Sequence, residues 1–353
     1  MDPALREAKK LKNKLGQLIE ASARASGRDY ASRVAELHQQ LIMQRFLTRV
    51  FDQPGPWMLA GGTGLLVRLP GARHSQDIDL NHRGGHLDVD NAINELHDLA
   101  GPHPSDPFAF SITVKNELRG ANPGATLFAT PYFAGTTLSM TPIRIDLAVR
   151  RSVVGSVDRI TPAPVLELAE IRRPPPMTIY PIADQVADKI AGMYQLFGGR
   201  NNIPSSRWRD LADLLLITHN LPLDAATVQA ALAEHRGINF PRAVHAPSPE
   251  WAHHYPILAA TTTLPRRLHT LDAALGALGR CVNPMLDGTV TVGTWNPRNQ
   301  RWDRDLDHHS MTDDLAAVVD AHRHAATRGD SRPQPTPLLP PSDIEGASAV
   351  LDI

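Results

Sequence analysis

Leu59-Ala60-Gly61-Gly62-Thr63-Gly64-Leu65-Leu66-Val67-Arg68-Leu69-Pro70-Gly71-Ala72-Arg73-His74-Ser75-Gln76-Asp77-Ile78-Asp79-Leu80 decides what kind of chain this is. Its first part continues an apolar run, Trp57-Met58-Leu59-Ala60, that reads as a strand and breaks at Gly61-Gly62. Two glycines let backbone approach a ligand closely and turn N–H groups toward an anion. A helix from about Thr63 would bring its positive end to the same place. The second part, Asp77-Ile78-Asp79-Leu80, alternates. On a strand this sends both carboxylates to one face and the two apolar side chains to the other. Paired carboxylates repel and call for a compensating cation. A hard divalent ion, Mg²⁺ or Mn²⁺, with oxygen ligands and substrate phosphates suits them. Taken alone, the pair is equally readable as an acidic strand end facing water.

A third carboxylate shifts that balance. Ile143-Arg144-Ile145-Asp146-Leu147-Ala148-Val149 alternates as well, with Asp146 opposite the apolar face. If this strand lies beside residues 77–80, Asp77, Asp79 and Asp146 converge. Such a cluster can hold metal, activate a hydroxyl and steady a leaving pyrophosphate. Between the strands, Val89, Ile93, Leu96 and Leu99 give residues 89–100 a helical face. The first 50 residues also read as helix, with Leu11, Leu15 and Leu18 and then Leu37, Leu41 and Phe46 on repeating faces. Strands mixed with helices indicate an α/β or α+β chain. Pro174-Pro175-Pro176 and Pro181 force an extended connection and mark a boundary. Helical pieces follow at 182–197, 206–219, 224–236 and 266–279, with a small strand at 289–295. The expected organisation is an N-terminal helical segment (1–50), a first domain (51–175), a mainly helical domain (176–328) and a Pro-rich disordered tail (329–353).

These motifs resemble the DNA polymerase β-like nucleotidyltransferases. More closely, the combination is similar to the AbiE-type toxin nucleotidyltransferases of bacterial abortive-infection and toxin–antitoxin systems, which include a mycobacterial group that modifies tRNA. The matching positions are Gly61, Gly62, Thr63, Arg73, Ser75, Asp77, Ile78, Asp79 and Leu80. Asp184-Gln185-Val186-Ala187-Asp188-Lys189-Ile190-Ala191 resembles the family's helical Lys motif, and Arg209-Asp210-Leu211-Ala212-Asp213-Leu214 its Arg/Lys-Asp-x-x-Asp motif. The resemblance covers roughly residues 30–220, and Thr63 stands where the wider superfamily commonly has Ser. It implies an α+β fold, in which a polymerase β-like mixed-sheet domain precedes a mainly helical one. It also implies a metal-dependent nucleotidyltransferase that takes an NTP, uses RNA (most closely the tRNA 3′ end) as acceptor, blocks translation and has a cognate antitoxin. Asp77, Asp79, Lys189 and Asp210 are then the catalytic set. Gly61, Gly62, Thr63, Ser75 and Lys189 bind nucleotide, and Asp77, Asp79 and Asp146 hold metal.

The two helical motifs can also be read physically. Ile182, Val186, Ile190, Met193 and Phe197 form one stripe, with Lys189 at its edge and Asp184 and Asp188 opposite. From that edge a lysine can snorkel into a cleft and meet triphosphate charge as a compact donor. In the next helix Trp208, Leu211, Ala212 and Leu215 form the buried side, and Asp210 and Asp213 point away. Arg209 and Asp213 sit at i, i+4, which allows an ion pair and gives Asp213 a structural role. Asp210 could orient either Lys189 or the acceptor hydroxyl.

Composition narrows the field. The 353 residues carry 36 Lys+Arg and 37 Asp+Glu, a net charge of −1. That excludes coating nucleic acid by bulk charge but leaves room for a local basic groove. Arg144, Arg150, Arg151, Arg172 and Arg173 could line such a path, or merely keep the surface soluble. Only six lysines occur, and beyond residue 14 only Lys115 and Lys189. Lone Cys281 excludes an internal disulfide. No apolar run is long enough to span a bilayer, so a cytoplasmic location is expected. The tandem pairs His253-His254 and His308-His309 diverge on helix or strand and make poor zinc chelators. Two alternatives remain open: nucleotidyl transfer to a protein or small molecule, and a non-catalytic RNA- or partner-binding module, which the intact carboxylates disfavour.

Overall fold

The computed structural model describes residues 2–303 except 28, 70, 84–87, 105, 119–122, 150–151 and 200–201. Arg150, Arg151, His308-His309 and the expected tail at 329–353 therefore lie outside the described residues.

Two long helices open the chain, α1 (Pro3–Ala25) and α2 (Tyr30–Val50). Each starts on an aspartate whose side chain accepts a free backbone N–H, Asp2 from Ala4 and Asp29 from Ser32. Next come β1 (Trp57–Ala60), α3 (Gly61–Arg68), β2 (Asp77–His82) and α4 (Val89–Ala100). The hairpin β3 (Phe108–Leu118) and β4 (Gly124–Phe133) leads to β5 (Ile143–Val149), then the short β6 (Asp158–Ile160) and β7 (Met177–Ile179). These seven strands form one mixed sheet in the order β3-β4-β5-β2-β1-β7-β6. Beyond it the chain is mainly helical. This part comprises α5 (Ile182–Tyr194), α6 (Trp208–Asn220), the two-residue β8 (Leu223–Asp224), α7 (Ala225–Ala233), α8 (Trp251–Ala259) and α9 (Leu271–Leu286). A last pair, β9 (Thr294–Asn296) and β10 (Arg301–Asp303), joins β8 in a small second sheet. The architecture is α+β, with a mixed sheet followed by helices. No helix among the described residues is long and apolar enough to cross a membrane.

The alternation in the sequence explains how the sheet is used. Ile78 and Leu80 of β2 and Ile145 and Leu147 of β5 point into one core with α2 and α4. A second core gathers α5, α6, α7, α8 and α9 around Trp251, Tyr255 and Trp295. Leu65 of α3 belongs to that second core, so the helix that follows the glycine pair is anchored in both.

Several expected boundaries move. The small strand falls at Thr294–Asn296 rather than from residue 289, and α5 stops at Tyr194, leaving Phe197 of the expected stripe exposed. A 3₁₀ turn at Arg266–Leu268 precedes α9, which runs on to Leu286 through Pro284. Helix α8 likewise carries Pro256. Proline normally ends a helix; the expected helix stops at residue 279, short of Pro284, none is expected over α8, and packing in the second core carries both helices through their prolines. The β3–β4 hairpin also escapes the pattern. The outer half of β3, including Val114 and Leu118, is exposed, so the run has no alternating apolar face to read.

Candidate active site

Strands β2 and β5 run parallel and in register, pairing Asp79 with Asp146 and Asp77 with Arg144. The three carboxylates expected to converge do so, on the face of the sheet away from the first core. They line a cavity of about 1000 Å³ together with Lys189, Arg207 and Trp208.

Each carboxylate has a different environment. Asp77 accepts a hydrogen bond from the Ser75 hydroxyl at 2.9 Å. Asp146 accepts from the Arg144 guanidinium at 3.0 Å and the Thr126 hydroxyl at 3.0 Å. Asp79 stands between them. Its burial, and then the charges of Asp77 and Asp146, push its carboxyl up to about 7, and Lys189 and Arg207 only partly offset this. A partly buried carboxylate that cannot comfortably ionise beside two others is the condition a divalent cation relieves. The donors are all oxygens, which suits Mg²⁺ or Mn²⁺ rather than a softer metal.

The glycine pair makes room for this cluster. Gly61 has φ +60°, and a Cβ there would sit 1.7 Å from Asp79 Oδ2. A Cβ on Gly62 would come within 2.6 Å of Ser75 Oγ. The sequence suggested glycines that yield space to a ligand, and here they yield it first to the protein's own Asp79 and Ser75 side chains. The Gly61 carbonyl accepts from Gln185 Nε2 at 2.8 Å, which ties the start of α3 to α5. Thr63 differs from expectation. It is buried, and its hydroxyl donates to the Asp77 carbonyl at 2.6 Å, so it steadies β2 from behind and does not line the large cavity. Ser75 is buried and does line it.

The second half of the site is a chain of charges between α5, α6 and the loop before β2. Lys189 Nζ donates to Asp213 at 2.6 Å and to Asp210 at 3.2 Å. Asp213 also accepts both prongs of Arg73, each at 2.9 Å. Asp210 accepts from Arg207 Nε at 2.5 Å. Lys189, Asp210 and Asp213 are all buried. Burial works against the ammonium, yet Asp213 and Asp210 together hold the Lys189 pKa above its ordinary value. Burial also works against the Asp213 carboxylate, and Lys189 and Arg73 override it and hold that pKa low. Both partners thus stay charged.

This arrangement corrects three expectations. Asp213 pairs with Arg73 and Lys189, not with Arg209, because α6 turns it inward. Asp210 and Asp213 do not point away from the buried side, since α6 is enclosed on nearly every face. Asp184, opposite the apolar stripe of α5, is buried too, and accepts the backbone N–H groups of Val154 and Gly155, each at 2.8 Å. Arg73, Arg207 and Gln185 had no assigned role in the sequence. Arg73 and Gln185 have partners 140 and 124 residues away, where no periodicity reports them, and Arg207 pairs with Asp210 from the residue just before α6.

A family model described as "Nucleotidyl transferase AbiEii toxin, Type IV TA system" matches residues 43–274. The chain belongs to this AbiEii nucleotidyltransferase toxin family. The match spans β1 to α8 and takes in every candidate site residue named above. Among curated proteins none matches the chain in sequence. Among solved structures it is similar to MenT4, nucleotidyltransferase toxin Rv2826c from Mycobacterium tuberculosis H37Rv, at 15% identity, covering 86% of this chain and 98% of that one with a TM-score of 0.49. It is also similar to JHP933 from Helicobacter pylori, at 14% identity, covering 72% and 94% with a TM-score of 0.39. As an AbiEii-family toxin it is a nucleotidyltransferase of a toxin–antitoxin system, with an NTP substrate and an antitoxin partner.

Proposed function

We propose that this toxin transfers nucleotides from an NTP to the 3′ end of tRNA in a divalent-metal-dependent reaction, and that the modified tRNA no longer supports translation. The observation that carries the metal-dependent part is the juxtaposition of Asp77, Asp79 and Asp146 in one cavity, with Asp79 raised to about 7. Those three side chains would hold Mg²⁺ or Mn²⁺. When bound, such an ion supplies charge neutralisation for the triphosphate and lowers the cost of ionising the acceptor hydroxyl.

The chain's own residues do the rest. Ser75 fixes the orientation of Asp77 and leaves its other oxygen free to face the cavity. Gly61 and Gly62 leave the floor of the cleft open where the triphosphate lies. Lys189 uses two of its three N–H donors on Asp210 and Asp213 and offers the third toward phosphate. Asp210 orients Lys189, with Arg207 holding its second oxygen. The acceptor hydroxyl gives its proton to a carboxylate of the cluster, its oxygen bonds to the α-phosphorus, and pyrophosphate leaves. The tRNA acceptor is supported by the resemblance to the tRNA-modifying group of the family and by the basic side chains at the cavity, Arg144 and Arg209.

The test is incubation of the purified protein with total tRNA, Mg²⁺ and each labelled NTP in turn. Label should enter tRNA, and chelation of the metal or Asp79→Asn should abolish it. Label that enters protein or small molecules but never RNA would overturn the acceptor assignment.

A further inference from the structure

One wall of the cavity is chemically unlike the carboxylate wall. Ser206, Arg207, Trp208 and Arg209 line it in succession. The Arg207 side chain is tied to Asp210 through Nε, yet 56% of it is exposed. Arg209 is exposed as well. Between them Trp208 is partly buried, and its indole lies flat on the imidazole of His254. The ring centroids are 4.3 Å apart and the planes differ by 8°. His253 meets His254 edge-on at 5.0 Å. The indole is therefore backed by a ring that is itself held in place.

The sequence reading put Trp208 on the buried side of α6, an ordinary core aromatic. Its position fits that only in part. A side chain used purely for packing turns its area into the core, whereas Trp208 also lines a cavity whose other lining groups are mostly polar or charged. A large π surface flanked in sequence by two arginines, in the same cavity as a metal-suited carboxylate cluster, matches the two halves of a nucleotide. The ring takes the base, and the cations take the phosphates.

We propose that Trp208 is a nucleobase platform, stacking a base within the cleft while His254 fixes the plane of the indole. The base belongs either to the incoming NTP or to the terminal residue of the acceptor strand. The inference rests on nucleotidyl transfer as the activity and names the part of the site that recognises a base.

The test separates ring chemistry from packing. Trp208→Leu keeps apolar volume against the second core and removes the π face. Trp208→Phe restores a ring. Labelled transfer is measured for wild type and both variants, giving KM for the NTP, KM for the RNA acceptor, kcat, and the inhibition constant of inorganic tripolyphosphate. In the leucine variant one KM should rise roughly tenfold, and Phe should recover most of the loss. A rise in NTP KM with tripolyphosphate inhibition unchanged assigns the stacked base to the donor, and a rise in acceptor KM assigns it to the RNA. Equal loss of NTP and tripolyphosphate binding means that the wall has shifted, and this overturns the platform. Unchanged KM values in a leucine variant that melts like wild type also overturn it, and leave transferase activity intact. If the leucine variant melts early, Trp208→Met replaces it, since a flexible thioether fills the same gap without a ring. If the wild type transfers nothing, the transferase reading has failed, and titration calorimetry with the NTP decides the platform. Equal affinity in wild type and Trp208→Leu for the NTP, and for the RNA acceptor titrated in the same way, then overturns it.

Discussion

Two groups of carboxylates lie at one cleft, Asp213 just behind its lining, and their surroundings treat them in opposite ways. Asp210 and Asp213 on α6 are buried, but each touches cations supplied by the protein itself, Lys189, Arg73 and Arg207. Asp77 and Asp79 on β2 have no ion pair among the described residues, and Asp146 has only the half-exposed Arg144. The first group is closed, with charge balanced inside the fold. The second is open, with charge left for something from outside to balance. Removing a carboxylate should therefore do opposite things in the two groups.

The largest expected effect is on the closed side. Asp213→Ala strips Lys189 and Arg73 of their shared partner and leaves the buried Lys189 ammonium with Asp210 alone, which Arg207 also engages. Losing one member of a buried pair costs about 3–5 kcal/mol. Urea denaturation should show a loss of that size, and activity should fall with it because Lys189 is no longer held. A loss under about 1 kcal/mol, typical of exposed pairs, would mean that the cluster is not closed in solution.

The open side should respond to metal and pH instead. In the unfolded chain Asp79 titrates near the ordinary carboxylate value, about 3.9. In the folded protein it titrates at about 7. Between those two values the folded state holds a proton that the unfolded state has lost, so metal-free stability falls as pH rises from about 4 to about 7 and levels off above. A bound divalent ion removes that penalty. Mg²⁺ at a hundred times its Kd should stabilise the protein by about 2.7 kcal/mol, and its effect should be larger at pH 8 than at pH 5. Thermal melts across pH, with and without Mg²⁺, provide the measurement. Asp79→Asn should flatten the pH slope, weaken the Mg²⁺ response and abolish transfer without destabilising the metal-free protein. If Asp79→Asn melts as early as Asp213→Ala, the contrast between the two groups is wrong.

Glycine substitutions sharpen the contrast further. Gly61 and Gly27 both have left-handed backbone, at φ +60° and +66°. A side chain in that region costs roughly 1–2 kcal/mol in either place. Around Gly27 a Cβ meets nothing within 4 Å, whereas at Gly61 it collides with Asp79. Gly27→Ala should lose stability alone, and Gly61→Ala should lose stability and transfer activity together. Equal activity in the two variants would show that Asp79 can move aside freely.

The open side was legible in the sequence and the closed side largely was not, for a physical reason. Asp77, Asp79 and Asp146 sit on strands, where a period of two fixes the facing side, and the alternation of Ile78, Leu80, Ile145 and Leu147 reported that face directly. The pairing of Asp79 with Asp146 also needs the register, which a period of two does not fix, since a slip of two residues keeps the same face. The helical carboxylates carry no such signal. Asp213 at i+4 from Arg209 looked like a surface pair because local spacing cannot show a partner 140 residues away in Arg73. Lys189 was singled out by rarity and by its position at a stripe edge, but the carboxylates that receive its charge depend on how α5 packs on α6. The other outlying lysine, Lys115, lies over the Phe128 ring at 5.5 Å on the β3–β4 hairpin. Rarity alone thus carried no functional meaning there.

The smallest expected effect concerns Arg144, the one cation ion-paired to the open side among the described residues. Its pair with Asp146 is half exposed, so Arg144→Ala should change stability by less than about 1 kcal/mol. The effect on metal is more informative. With its guanidinium gone, Asp146 no longer shares its charge, and a divalent ion held by Asp77, Asp79 and Asp146 gains a fuller ligand. Metal affinity, read from the Mg²⁺ dependence of the melting temperature, should therefore tighten while the KM for RNA rises through loss of a basic contact. Weaker Mg²⁺ binding in the variant would mean that Arg144 positions Asp146 rather than competing for it. The open cluster would then be partly closed, with Arg144 doing for Asp146 what Arg73 does for Asp213.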